Sequence, residues 1–407
     1  MPLATLRDPG RSETLVRIAF ITNLFPPIQT GSSYWTRDAA TALASRGHQV
    51  IVITCTPASK NEQVDLIGAV RVYRLPTTFH LPKLNAFLNF DQFYLMASPR
   101  NSRRLREILR DERIEVIHQV GHLLDSAPLS ARAHRATAIP AVCSIHTRIG
   151  HPTNRFYDLL LRTVDRVILG PLVMRKFDRL IALDEVLARH SKRVYSVDDI
   201  ECVPVCIDEA ILHRAAADPA VASPVRVVSV GHVTDMRDRS TLLLAIAELK
   251  KRGLPVRLDI VGKVLTDVTP RLIDELDLRD TVALLGELPR DELFRLLSES
   301  SLEVHWIDIQ GIGSAAIEAM ALGLPVAAWA DERIYGDVPL KHMENIVLID
   351  PNDHDALVRT LEVLVRDPDL RQRVGSNARE LVRRYLTWSS VAGRLESVYA
   401  AAVSGAS

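Results

Sequence analysis

Gln310-Gly311-Ile312-Gly313-Ser314-Ala315-Ala316-Ile317-Glu318-Ala319-Met320-Ala321-Leu322-Gly323-Leu324-Pro325-Val326 is the stretch on which the reading of the fold turns. Two glycines make a turn, and small and apolar residues with helix propensity follow. Gly323 and Pro325 then stop the helix before Val326-Ala327-Ala328-Trp329, which reads as a buried strand. A glycine-rich turn that opens a helix leaves backbone N–H groups pointing outward at the positive end of the helix dipole, a setting that suits a phosphate. Glu318 lies eight residues after Gln310, a little over two helical turns, so both polar side chains can lie along one side of a ligand. An ordinary crossover with a tight turn has the same glycines, and the stretch by itself leaves both readings open.

The same alternation continues on either side. Residues 225–231, 257–262, 282–286, 302–306 and 346–349 read as buried strands, with helices over 241–252, 270–276 and 290–298 between them. In front of this series, residues 215–224 are rich in Ala, Asp and Pro and read as a linker. An earlier series has strands at 16–22, 49–54, 70–75, 116–118, 141–145, 177–183 and 200–205, with a helix over 34–45 and a loop or helix over 77–96. The pattern is that of two successive α/β domains, which is also what a length of 407 residues leads one to expect.

Composition narrows the function classes. Lys plus Arg is 50 and Asp plus Glu is 50, so net charge gives no support for nucleic acid as the partner. Cys55, Cys143, Cys202 and Cys206 are scattered and read as reduced core residues of a cytoplasmic protein rather than a disulfide framework or a zinc site. Residues 1–13 lack the apolar core of a signal peptide, and the longest apolar run, 167–174, is far short of the ~20 residues of a membrane helix. Any contact with a bilayer is therefore expected to be peripheral. The basic amphipathic stretch 100–110 could lie on an anionic membrane face, at the inner side of the membrane. The alternative is that it packs Leu105, Ile108 and Leu109 on the sheet, and that reading is favoured.

The organising stretch resembles the signature of the retaining, nucleotide-sugar-dependent glycosyltransferases of family 4, in which a Glu opens a Glu-Gly-Phe-Gly segment and a second Glu follows along the helix. Gly311, Gly313, Glu318, Ala319, Met320, Gly323 and Pro325 fit that pattern, and Gln310 stands where the first Glu belongs. The beginning of the chain is similar to the family as well: a strand, a loop with Pro26 and Pro27, a turn in which Ser32 follows Gly31, and a helix closed by Gly47-His48. Pro204 and Asp208 keep two positions of the family's Pro-Asn-Gly-Val-Asp segment, and Trp388 and Tyr399 resemble its tail.

The resemblance implies a GT-B fold: two Rossmann-like doubly wound domains facing each other across a cleft. Residues 1–215 would form the acceptor side and residues 216–387 the donor side, with a helix over 388–407 crossing back to the first domain. It implies transfer of a hexosyl group from a nucleotide-diphosphate sugar to a glycan, lipid-linked or small-molecule acceptor, with no metal and no cofactor besides the donor.

By the same resemblance, His146 contacts the donor sugar near the breaking bond, and Gln310 faces the sugar hydroxyls. Gly311, Ile312, Gly313 and Ser314 hold the diphosphate through their backbone, and Glu318 holds the ribose. Gly31 and Ser32 bind donor at the end of the first strand. His232 and Arg237 face the leaving phosphates; apart from the resemblance, Arg239 or Lys263 could add charge there. Arg237 can clamp a phosphate through its planar fork, whereas a neutral His232 carries no full charge. Gln310 accepts through one oxygen where a carboxylate accepts through two, a difference of ~1–2 kcal/mol in transition-state binding. Without the resemblance, residues 31–33 are a bare turn, His146 is a satisfied boundary residue and the charges of 232–239 are solvated. A catalytically degenerate nucleotide-sugar-binding relative, acting as a partner or regulator, is the other function class. A sugar epimerase or phosphorylase of the same fold is a third.

Overall fold

The computed structural model describes residues 15–28, 30–56, 61–82, 92–150, 154–214, 216–218, 224–235, 237–305, 310–350 and 352–405. The chain divides into two compact units, Met1–Pro204 with Trp388–Ser407, and Val205–Thr387.

The first unit is built on a sheet whose order, edge to edge, is Glu201–Cys202, Arg179–Ala182, Ala141–Ile145, Val116–Val120, Arg17–Ile21, Gln49–Cys55, Val70–Leu75 and Gln63–Ile67. All neighbours are parallel except the last pair. The central strands are buried along nearly their whole length because helices cover both faces, as a parallel sheet requires. Helix Gly31–Ser45 buries Trp35, Ala39, Ala40 and Leu43 along one stripe. The final helix, Trp388–Gly405, buries Trp388, Val391, Leu395, Val398 and Tyr399 in this unit. It is held there by polar contacts too. Arg46 donates to both oxygens of Glu396, at 2.6 and 2.8 Å, and His48 Nε2 lies 2.9 Å from the same carboxylate. His48 Nδ1 accepts from the Val16 N–H, so the Nε2 proton is the one that points at Glu396.

The second unit has a wholly parallel sheet in the order Val282–Gly286, Val256–Val261, Val225–Val230, Leu302–Val304, Val326–Ala328 and Val347–Leu348. Helix Ser314–Ala321 packs on helix Pro368–Tyr385 so closely that a Cβ on Gly375 would lie 1.9 Å from the Gly323 carbonyl oxygen. The contact admits only glycine at 375. Among the described residues no helix is long and apolar enough to cross a membrane.

Several expectations change. Helix Gly31–Ser45 begins three residues before the expected start because Thr30 caps it, its Oγ1 accepting from Ser33 N–H at 3.2 Å. Gly31 and Ser32 therefore form the first helical turn. Phe79–Pro82 and Gln92–Leu95 pair as an antiparallel hairpin where a loop or helix was expected; 83–91 lies outside the described residues. Gln63–Ile67 is an exposed edge strand that composition did not suggest. Helix Pro99–Asp111 turns Leu105, Ile108 and Leu109 into the core, which leaves it no apolar face for a bilayer. His118 lies inside its strand, fully buried, rather than at the strand's end. The strand expected over 302–306 is described as Leu302–Val304, and 306–309 lies outside the described residues.

Candidate functional site

In an open α/β sheet the crevice for a ligand opens where the strand order reverses, beyond the carboxyl ends of the strands. In the second unit that point lies between Val225–Val230 and Leu302–Val304, which pair in parallel through Val227 and Leu302. The described residues that leave these two neighbours are 231–235 with 237–239, and 305 with 310–313. They contain the candidate donor residues of this unit except Lys263, which follows strand Val256–Val261, and Ser314 and Glu318, which follow directly on the helix.

The first loop starts at a close backbone approach. Gly231 and Gly262 have φ of +132 and +137°, and a Cβ on Gly262 would fall 2.4 Å from the Gly231 carbonyl oxygen. Arg239 is fully buried, with φ +62°, and braces the loop from inside. It donates to Ser229 Oγ at 2.9 Å, to the Arg237 carbonyl at 2.8 Å and to the Gly231 carbonyl at 3.1 Å. The expectation that Arg239 meets phosphate is therefore corrected: its donors are spent on the loop that carries Arg237. Arg237 is half-buried, its N–H donating to the Thr234 carbonyl at 2.8 Å. His232 is exposed and accepts at Nδ1 from the Lys263 N–H at 3.1 Å. Its Nε2 lies 3.9 Å from Glu287, which also draws Lys263 Nζ to 3.3 Å.

The second loop is held from below. Gly311 N–H donates to the Trp329 carbonyl at 2.9 Å, and Gly313 N–H donates to His305 Nε2 at 3.0 Å. Tyr335 Oη donates to the Ile312 carbonyl. Because His305 Nε2 is an acceptor, its proton is on Nδ1, 3.3 Å from Glu303 Oε1. Both side chains are fully buried. The diphosphate role expected of 311–314 is thus corrected in part, since the amides of Gly311 and Gly313 already have acceptors inside the fold. The first-turn amides of Ser314 and Ala315 are the ones a helix cannot satisfy internally. Glu318, one turn further along, is largely covered and receives Arg290 Nη2 at 2.9 Å. Gln310 is half-buried at the head of the loop.

In the first unit the order reverses between Arg17–Ile21 and Val116–Val120. Gly31 and Ser32 open their helix beyond the first of these strands, and a Cβ on Gly31 would meet nothing within 4 Å. His146 follows strand Ala141–Ile145, its Nε2 3.1 Å from Ser144 Oγ, its ring edge-on to Trp35 at 4.8 Å. Trp35 also meets Trp388 at 5.6 Å and His118 at 5.8 Å. His118 Nδ1 and Tyr399 Oη are hydrogen-bonded at 2.7 Å. Burial, reinforced by His122, pushes His146 down to about 3. Burial, reinforced by His146, pushes His118 down to about 3 as well. His122, buried and near His190, is pushed down to about 4. These imidazoles are neutral at physiological pH, so His146 can give or take a hydrogen bond with a sugar hydroxyl but brings no charge.

Sequence reading missed Glu303, His305 and His122. The signal for the first two was present: two ionisable residues, two apart, in an otherwise apolar strand share one face and need a reason to be there.

Residues 30–206 match the family described as Glycosyl transferase 4-like domain, and residues 217–381 match Glycosyl transferases group 1. The chain is 24% identical over 402 residues to the MMP alpha-(1->4)-mannosyltransferase of Mycolicibacterium hassiacum, covering 92% of this chain and 95% of that one. It is 23% identical over 402 residues to the GDP-mannose-dependent alpha-(1-6)-phosphatidylinositol monomannoside mannosyltransferase of Mycobacterium tuberculosis, covering 93% and 97%. Sucrose-phosphate synthase from Thermosynechococcus elongatus has a similar fold, with a TM-score of 0.71 at 19% identity over 96% of this chain and all of that one.

Proposed function

The chain belongs to the group 1 glycosyltransferases and has their GT-B fold, and from this we propose that it is a retaining hexosyltransferase acting on a glycan, lipid-linked or small-molecule acceptor. It uses a nucleotide-sugar donor. The name of one relative makes GDP-mannose the first donor to try and a lipid-linked sugar the first acceptor class.

One observation carries the reading. Arg237 follows one strand of a single strand reversal, and the open amides of Ser314 and Ala315 begin the helix that follows the other, with Glu318 on that helix. In this proposal those donors neutralise the charge that grows on the diphosphate as the anomeric bond breaks, and being fixed in advance they need no reorganisation. Arg237 supplies the full positive charge, and the amides supply directional hydrogen bonds. Glu318 accepts from the ribose hydroxyls, and Gln310 meets the sugar hydroxyls through one oxygen and its amide. His146 contributes a neutral hydrogen-bonding ring beside the sugar. The leaving phosphate takes the acceptor's proton on the same face, which gives retention of configuration. Arg237 and the amides supply the positive charge, so the reading needs no bound metal.

The test is nucleotide release from a panel of GDP-, UDP- and ADP-sugars, with and without EDTA, followed by the anomeric configuration of the product by NMR. Release from one donor, unaffected by EDTA and with retained configuration, is expected. Binding of nucleotide without release from any donor, with every acceptor class tried, would sink the catalytic reading.

A further inference from the structure

Helix Arg155–Val164 buries none of its residues, which is unusual in a chain where every other long helix gives a stripe to a core. It runs into a π-helical turn, Asp165–Leu169, and a short helix, Gly170–Leu172. Along this segment Phe156, Leu159, Leu160, Val167, Ile168 and Leu172 are each between 47 and 71% exposed. Scattered apolar residues on a surface are ordinary, but a run of large ones on consecutive elements marks an interaction face.

The segment is nevertheless fixed to its unit. Asp165 is buried and accepts from Tyr195 Oη at 3.0 Å. Gly170 packs against the same ring, a Cβ there falling 3.3 Å from Tyr195 Cδ1, and Val173 and Met174 enter the core. The apolar side chains are thus held outward by an anchored backbone.

Charge then selects the occupant. Arg155, Arg162, Arg166 and Lys176 are exposed around the apolar run. Of the acids in the segment, Asp158 is paired with Arg162 at 2.9 Å and Asp165 is turned inward. The outward charge is positive. Arg148, which also faces Asp184, lies close enough to Arg162 to add to the same field. A second copy of the chain, meeting this face about a two-fold axis, would set like charges against each other. A surface of anionic lipid offers phosphates to the guanidinium groups and acyl chains to the apolar row at once.

We propose that the face formed by 155–172 docks on an anionic lipid bilayer, with Phe156, Leu159 and Val167 entering the headgroup boundary and Arg155 and Arg166 resting on lipid phosphates. Donor turnover is not needed to test it. The full chain is mixed with vesicles of phosphatidylcholine alone or with added phosphatidylglycerol and floated through a density gradient, at low and high salt. Flotation with the anionic vesicles only, weakened by salt, is expected. Two variants, Phe156→Ser with Leu159→Ser and Arg155→Glu with Arg166→Glu, should each lower vesicle affinity by about tenfold or more. Neither touches a buried residue, so thermal melting should match the parent. Absence of flotation, equal flotation with both vesicles, or binding unchanged in both variants overturns the proposal. So does a dimer in light scattering that the same substitutions dissociate, since the face would then belong to a second copy.

Discussion

Arg290 Nη2 donates to Glu318 Oε1 at 2.9 Å, which engages the carboxylate assigned to the ribose before any nucleotide arrives. Glu318 is 14% exposed at its side chain and Arg290 55%, so the arginine can swing into solvent while the carboxylate stays in place. Glu318→Ala should weaken GDP or UDP binding by about tenfold or more, the scale of a hydrogen bond to a charged group. Arg290→Ala should change affinity by less, because a half-exposed pair is worth about 1 kcal/mol at most. Titration calorimetry on both variants checks this, and an unchanged dissociation constant in Glu318→Ala removes the ribose assignment.

Gln310 occupies the position at which the family resemblance expects a carboxylate. Gln310→Glu should raise donor turnover by about tenfold, from the gain of a charged acceptor toward the sugar hydroxyls. Steady-state nucleotide release measures it. A fall in kcat with intact folding would mean that the loop has been rebuilt around the amide.

Glu303 and His305 hold the turn at Gly313 from beneath. His305→Phe should lower the melting temperature, since it leaves a buried carboxylate and a backbone N–H without partners, at ~1–3 kcal/mol for each unsatisfied group. The double change Glu303→Leu with His305→Leu should recover most of that stability, because apolar replacement of a buried polar pair is often neutral. It should not recover the donor KM, because the Gly313 amide still lacks its acceptor. Recovery of both would make the pair a purely structural filling.

Acid should loosen the first unit. The folded-state values of His118 and His122, about 3 and about 4, lie below the ordinary 6.5, so the unfolded chain takes up protons first as pH falls. Stability from these rings is complete above pH 6.5 and drains away toward the folded values, at up to ~1.4 kcal/mol per pH unit for each ring. Urea unfolding between neutral pH and about pH 4.5 gives the slope. His122→Leu should flatten it, and an identical slope in that variant would clear His122 of the effect.

Gly375→Ala should be among the most damaging single-methyl changes available. The new carbon would collide with the Gly323 carbonyl, a backbone atom that cannot step aside without moving the helix that carries Glu318. A loss of ~3 kcal/mol, at the upper end for overpacking, is expected in chemical unfolding, with weaker nucleotide binding beside it.

The βαβ alternation was legible because buried parallel strands are largely apolar runs, as in Val225–Val230 and Ala141–Ile145, interrupted only at Arg226, Ser229 and Ser144. So was the loop-helix of 310–321, from its glycines and small residues. The hairpin of Phe79–Pro82 with Gln92–Leu95 was not, since its aromatic residues follow neither period. The early start of helix Gly31–Ser45 was hidden by Gly31, Ser32 and Ser33, whose weak helix propensity reads as a turn until the Thr30 cap is seen. The spending of the Gly311 and Gly313 amides depends on Trp329 and His305, contacts that a local reading does not reach.

The grip of Arg46 and His48 on Glu396 has a biosynthetic consequence. The half of the molecule that is translated first remains unfinished until the helix encoded after the other half has emerged, whereas that other half is contiguous and can mature without waiting. A chain cut before Trp388 would carry one completed lobe and one with Trp35, His118 and Arg46 stripped of their counterparts, a species for chaperones and proteases rather than for catalysis.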